Sequence, residues 1–181
     1  MLRSWGRRRT AARWALAAGI AGIAAAGAPQ ASRAAESNQV KIAVFDFELD
    51  DRSAAGGMIG LDAIDVENLK KSTDEARQRL AASGRYVVVD TGSAAGELTS
   101  AGGIQRCDAC EAPFARKLGA DQSMIGIFAR VSRTEYTLQI AVRDTKTGAI
   151  LSNAFSGLRM GANYAWPRAV TSLIDNKILS P

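Results

Sequence analysis

Two cysteines, a string of carboxylates and an aromatic-basic stretch are the residues of this chain whose types and spacing could do chemistry. Cys107-Asp-Ala-Cys110 places two thiols three positions apart, just before a short helix. A helix start can lower a thiol's pKa and make it a redox group or nucleophile. In an oxidising compartment two close cysteines more commonly close into a local disulfide. Glu111 follows Cys110, so the haem-attachment pattern ending in His is not met. A closed zinc site takes four ligands, commonly Cys and His. This chain has no histidine and no third cysteine. The same lack removes Ser-His-Asp and Cys-His catalysis and the commonest general base near neutral pH.

Asp46, Glu48, Asp50 and Asp51 gather at the end of an apolar run. The first three alternate, so in an extended segment they would share one face. Oxygen ligands in that position suit calcium or magnesium, and solvated, helix-capping aspartates are the plainer reading. Gly56-Gly57-Met58-Ile59-Gly60 lacks the Gly-Lys-Ser/Thr ending of a phosphate loop. Arg159, Met160, Tyr164 and Trp166 combine the residue types that dominate binding hot spots, with core packing at a helix start as the alternative.

The amino terminus sets the compartment in which such groups would work. Arg3, Arg7, Arg8, Arg9 and Arg13 precede an uncharged run, 14–28, that is too short for a bilayer span of about 20 residues. Small residues at Ser32 and Ala34 follow. A basic region, a short apolar run and a small-residue exit form the secretory signal pattern. The expected division is therefore a signal peptide at 1–34 and one secreted domain at 35–181. The whole chain has 23 basic and 18 acidic residues, net +5. Residues 1–34 hold six arginines and no acid, which leaves 17 basic against 18 acidic residues beyond them, net −1. The basicity belongs to the leader, so the mature domain offers no argument for nucleic acid. No stable membrane anchor is expected after cleavage.

The elements that must position these groups read as follows. Residues 40–49 form a first strand, apolar on both faces and therefore central. Ile42 and Val44 share one face; Ala43, Phe45 and Phe47 share the other. An amphipathic helix spans 62–83, with Ala63, Val66, Leu69, Thr73, Ala76 and Leu80 as its core stripe and Gly84 at its stop. Residues 86–90 form a buried strand, parallel to the first. A helical turn lies near 94–98 and a short helix at 111–118. Strands follow at 121–132, 135–144 and 149–157, the last two joined by the turn Thr145-Lys146-Thr147-Gly148. A last helix at 163–179 buries Trp166, Val170, Leu173, Ile174 and Ile178. The fold class is α/β (α+β): one mixed sheet of about five strands in the order strand-helix-strand-helix-strand-strand-strand-helix, with helices mainly on one face.

Several stretches carry a resemblance. Phe-Asp-Phe-Glu ends the first strand, and Ser-Gly-Arg-Tyr-Val-Val-Val-Asp follows the helix. Lys-Leu-Gly-Ala-Asp enters the third strand and Asp-Thr-Lys-Thr-Gly makes the hairpin. Ser132–Tyr136 and Gly157–Trp166 add to the match. In this order they resemble a family of bacterial secreted proteins that carries a domain of unknown function. The layout is more loosely similar to the amino-terminal domain of TolB. The leader, the missing catalytic groups and this resemblance together lead to the expectation of a periplasmic protein that binds another cell-envelope component, with a non-enzymatic role favoured over a carboxylate-based hydrolase and with no cofactor. The alternative is a thiol-disulfide or metal-carrying accessory protein using Cys107 and Cys110.

Overall fold

The computed structural model describes residues 39–54, 56, 58, 60–100, 102–106, 109–132, 134–159 and 165–180. The expected signal peptide, Cys107, Asp108, Met160 and Tyr164 lie outside the described residues. The elements are β1 (Val40–Val44), β2 (Glu48–Asp51), α1 (Ala63–Ala82), β3 (Tyr86–Val89), α2 (Ala95–Ser100), α3 (Glu111–Lys117), β4 (Gln122–Arg130), β5 (Glu135–Asp144), β6 (Ile150–Arg159) and α4 (Ala165–Leu173). A π turn, Ile174–Ile178, continues α4.

The result is an α+β fold on one mixed sheet, ordered β3-β1-β4-β5-β6, with β2 also paired to β4. β1 runs parallel to β3 and β4, whereas β4-β5 and β5-β6 are antiparallel. The central position expected of the first strand holds, with Ile42, Ala43 and Val44 fully buried. Its continuity does not. Val44 pairs with Met124 and Glu48 with Ile127, so the first strand spends one residue more than β4 over this interval. A one-residue excess flips the faces beyond it. Phe45 packs with Ala43 in one core, while Phe47 and Leu49 join Ile42 and Val44 in the other. Phe47 therefore lies on the face opposite to the one alternation assigns it.

The long helices α1 and α4 cover the Phe47 face, where Leu69, Ala76 and Leu80 meet Trp166, Val170 and Ile174. The opposite face is covered by α2 and α3 through Leu98 and Ala115. α1 begins where Asp62 Oδ1 accepts from Asp65 N–H at 2.7 Å, and Gly84 at φ +70 follows its end. Its expected stripe is met from Leu69 onward. In the first turn Asp65 is buried in place of Val66, because Asp65 is drawn to Arg130. β3 is an edge strand rather than a buried one, with Val87 exposed. In β5, Tyr136, Leu138, Ile140 and Val142 all face the core, as their alternation predicts. Beneath the α3 side, Glu111 is 1% exposed and its Oε1 stands 2.8 Å from Arg143 Nε. This is an ion pair without an aligned hydrogen bond, since neither atom has a hydrogen-bond partner.

Candidate interaction face at the first-strand break

The break at Phe45-Asp46-Phe47 organises the surface around it. Arg77, from the middle of α1, reaches across to the carboxyl ends of β1 and β3. Its Nη2 donates to Val44 O and Asp46 Oδ1, both at 2.8 Å, and to Thr91 Oγ1 at 3.0 Å. The guanidinium thereby satisfies a carbonyl that the interrupted ladder leaves over. Phe47 N–H donates to Thr73 Oγ1 at 2.9 Å, and that hydroxyl donates in turn to Leu69 O. A threonine on the buried stripe of α1 thus replaces the ladder partner that the extra residue removes. The Phe47 ring lies flat over Gly126, where a Cβ would come within 2.4 Å of it.

The expected carboxylate run disperses to separate partners. Asp46 goes to Arg77. Glu48 accepts from Ile104 N–H at 2.8 Å and Gln105 N–H at 3.1 Å. Its carboxylate approaches Gly103, at φ +85, so closely that a Cβ there would stand 3.0 Å from Oε2. Asp50 pairs with Arg52 at 2.5 Å. Among the described residues no three Cys, Asp or Glu side chains converge as a metal site would require.

Asp51 belongs to a deeper cluster. Arg130 Nη1 donates to Asp51 Oδ2 at 3.0 Å, Nε donates to Tyr136 Oη at 2.9 Å, and Nη2 donates to Asp65 Oδ2. Hydrogen bonds from the Ser53 hydroxyl and N–H, then Arg130, hold the Asp51 carboxyl below its ordinary range. Burial pushes the Arg130 guanidinium down, but Asp65, Tyr136 and Asp51 outweigh it and raise its pKa. One arginine so fastens β2, β4, β5 and the first turn of α1 together. Sequence reasoning missed Arg77, Arg130 and Gly126. The available signal was polar: Ser72 and Thr73 adjoin on the buried side of an otherwise ordinary helix.

Outside this frame four apolar side chains are exposed among charged ones, Asp62, Glu67, Lys70 and Lys71. Met58, Leu61, Ile64 and Val66 are 85%, 53%, 61% and 52% exposed. Leu61 and Val66 line a cleft of about 420 Å³ with Phe47, Leu69 and Arg77. Leu61 also lines an adjoining cleft of about 450 Å³ that runs to Gly103 and Arg106. Such a patch with a charged rim can receive an apolar surface of a partner. Of the other expected interface residues, Arg159 ends β6. Trp166 is 4% exposed and stacks on Phe128 at 4.1 Å, so its ring serves the core. Cys110 is the residue before α3, half-buried against the core cluster that holds Phe45, Leu98 and Ala115, and no described cysteine is free.

No curated protein matches the chain. Among solved structures it is similar to the LpoB C-terminal domain from Salmonella enterica, at 15% identity and TM-score 0.45, over 70% of this chain and 87% of that one. Lipoprotein GNA1162 from Neisseria meningitidis matches at 14% identity and TM-score 0.48, over 76% and 97%. TolB from Acinetobacter baumannii matches at 14% and 0.45, over 76% of this chain and 27% of that one. A family model described as "Protein of unknown function (DUF2380)" matches residues 40–178, from the first residue of β1 to the end of the π turn. The chain belongs to this family, DUF3280.

Proposed function

We propose that this is a non-enzymatic protein of the bacterial cell envelope that binds another envelope protein through the face at the first-strand break. The observation that carries the reading is the exposed Leu61, which lines both clefts, and the exposed Val66, which lines one of them, with Ile64 exposed on the same helix start. Leu61 precedes the Asp62 cap and Val66 sits in the first turns behind it, so both are held by a capped helix start. The Lys70–Asp74 and Lys71–Glu67 pairs supply a polar rim. The basic, then apolar, then small-residue order of residues 1–34 supports export, with the periplasm as the compartment and 35–181 as the working domain. The test is capture from envelope extracts with a photo-crosslinker placed at Glu67. Specific adducts should form, and Ile64→Asp with Val66→Asp should abolish them without lowering thermal stability. Equal capture by the double variant, or no specific adduct, would overturn the reading.

The cysteine pair supports a second, structural reading: Cys107 and Cys110 close into a local disulfide. Their spacing, and Cys110 being half-buried and not free, support it. Redox or metal-carrying use of the pair would instead require an accessible dithiol. Cys107→Ser with Cys110→Ser would leave partner capture unchanged under the structural reading and abolish activity under the other.

A further inference from the structure

Two motifs that the interaction face leaves unused meet on the opposite side of the sheet. Arg116-Lys117-Leu118-Gly119-Ala120-Asp121 ends α3 and enters β4, and Asp144-Thr145-Lys146-Thr147-Gly148 turns β5 into β6. Thr145 N–H donates to Asp121 O at 3.0 Å, and its buried hydroxyl lies 2.8 Å from Ala120 O. The turn is fixed independently by Asp144 Oδ1, which accepts from Lys146 N–H, Thr147 N–H and the Thr147 hydroxyl at 2.7 to 2.9 Å. Between these motifs lies a cleft of about 570 Å³, lined among others by Arg116, Lys117, Thr145, Lys146, Thr147 and Gly148.

We propose that this cleft binds a phosphate-bearing anion. Three cations line it, and among the described residues no acid does. The nearby acids are already engaged: Asp144 by its own turn, Glu111 by Arg143, and Glu97 by Lys117 at 3.1 Å across an exposed, exchangeable pair. Arg116 and Lys146 make no ion pair among the described residues and stand exposed on two separate elements. A guanidinium and an ammonium lining one cleft suit a doubly charged tetrahedral group, which can accept from both. The volume exceeds that of a bare ion and admits the group that carries the phosphate. The source is either a soluble phosphorylated compound or a phospholipid headgroup. This proposal is independent of the partner-binding reading, because the two faces share no residue.

The test is a heteronuclear NMR titration of the purified protein with inorganic phosphate and with glycerol 3-phosphate, beside sedimentation with phosphatidylcholine vesicles with or without phosphatidylglycerol. Saturable shifts confined to residues 112–117 and 144–148, weakened by salt, are expected. Arg116→Glu with Lys146→Glu should weaken binding by about tenfold or more, while the melting temperature holds because both side chains are exposed and neither makes an ion pair within 4 Å among the described residues. Binding to both soluble probes identifies a free phosphorylated ligand. Sedimentation only with phosphatidylglycerol, lost in the double variant, identifies a headgroup. No saturable shift and no sedimentation, or binding unchanged in the variant, overturns the proposal. An Arg116→Lys variant that keeps part of the affinity would show that charge at this position acts, and not the fold of the turn.

Discussion

Replacing Gly126 by alanine tests the central packing argument directly. An added Cβ would stand 2.4 to 2.5 Å from three ring carbons of Phe47, against an ordinary carbon-carbon contact of about 3.5–4.0 Å. The ring would have to move by about 1 Å, and little allows it. Phe47 is buried, its ring lies against Phe128 with centroids 6.3 Å apart, and its N–H is tied to Thr73. Overpacking of this kind costs about 1–3 kcal/mol. The locked ring places Gly126→Ala in the upper half, about 2–3 kcal/mol, less a few tenths for the lower backbone entropy of alanine in the unfolded chain. At this chain length that lowers the melting temperature by roughly 6–10 °C. Urea unfolding, followed by fluorescence of Trp166 on its Phe128 stack, reads the change as a lower midpoint at constant slope. The decisive comparison is a double-mutant cycle with Phe47→Ala, which alone costs about 3–5 kcal/mol. In that background Gly126→Ala should become neutral or slightly stabilising, a coupling of about 2–3 kcal/mol. Additive losses, or a Gly126→Ala within about 0.5 kcal/mol of the parent, would refute the placement of Phe47 over Gly126 and the face switch that produces it.

Three further outcomes follow from the same structure. Arg130→Ala leaves Asp65, 5% exposed, without its countercharge, and should cost about 3–5 kcal/mol in urea unfolding; adding Asp65→Ala should recover part of that loss, and a purely additive double variant would contradict the pairing. The Asp51 carboxyl sits below its ordinary value of 3.8 because of Ser53 first and Arg130 second. Its contribution is therefore present above pH 3.8 and lost as pH falls through the lower, folded-state value. The urea midpoint should fall with acid below about pH 4, less steeply in Ser53→Ala, and an unchanged slope in that variant would count against the assignment. Finally, if Cys107 and Cys110 are bridged, intact mass should show the loss of two hydrogens, and the double serine variant should lose about 2 kcal/mol, the loop-closure value for so short a ring.

Local pattern alone was enough for the elements whose signals are complete within a few residues. Asp62 and Gly84 bracket α1 because a cap and a positive-φ stop act on their own turn. Tyr136, Leu138, Ile140 and Val142 reveal β5 because one face is buried and the other is not. The mixed sheet and the family resemblance were legible from the order of such segments. What the tertiary structure decided is where alternation breaks. In the segment from Val40 to Leu49 both faces are apolar, so a period-2 pattern carries no mark of an extra residue. Only the register against β4 shows it, and that register is set by residues some 80 positions away. The switch moves Phe47 onto Gly126, frees Val44 O for Arg77, and scatters Asp46, Glu48 and Asp50 to separate partners. Arg130 and its two aspartates read as surface charges in sequence, because an ion pair between distant segments has no local period. The proposed leader rests on sequence alone, because the order of charge and hydropathy in residues 1–34 is itself the signal, whereas the faces that would meet a partner exist only once the strands have paired.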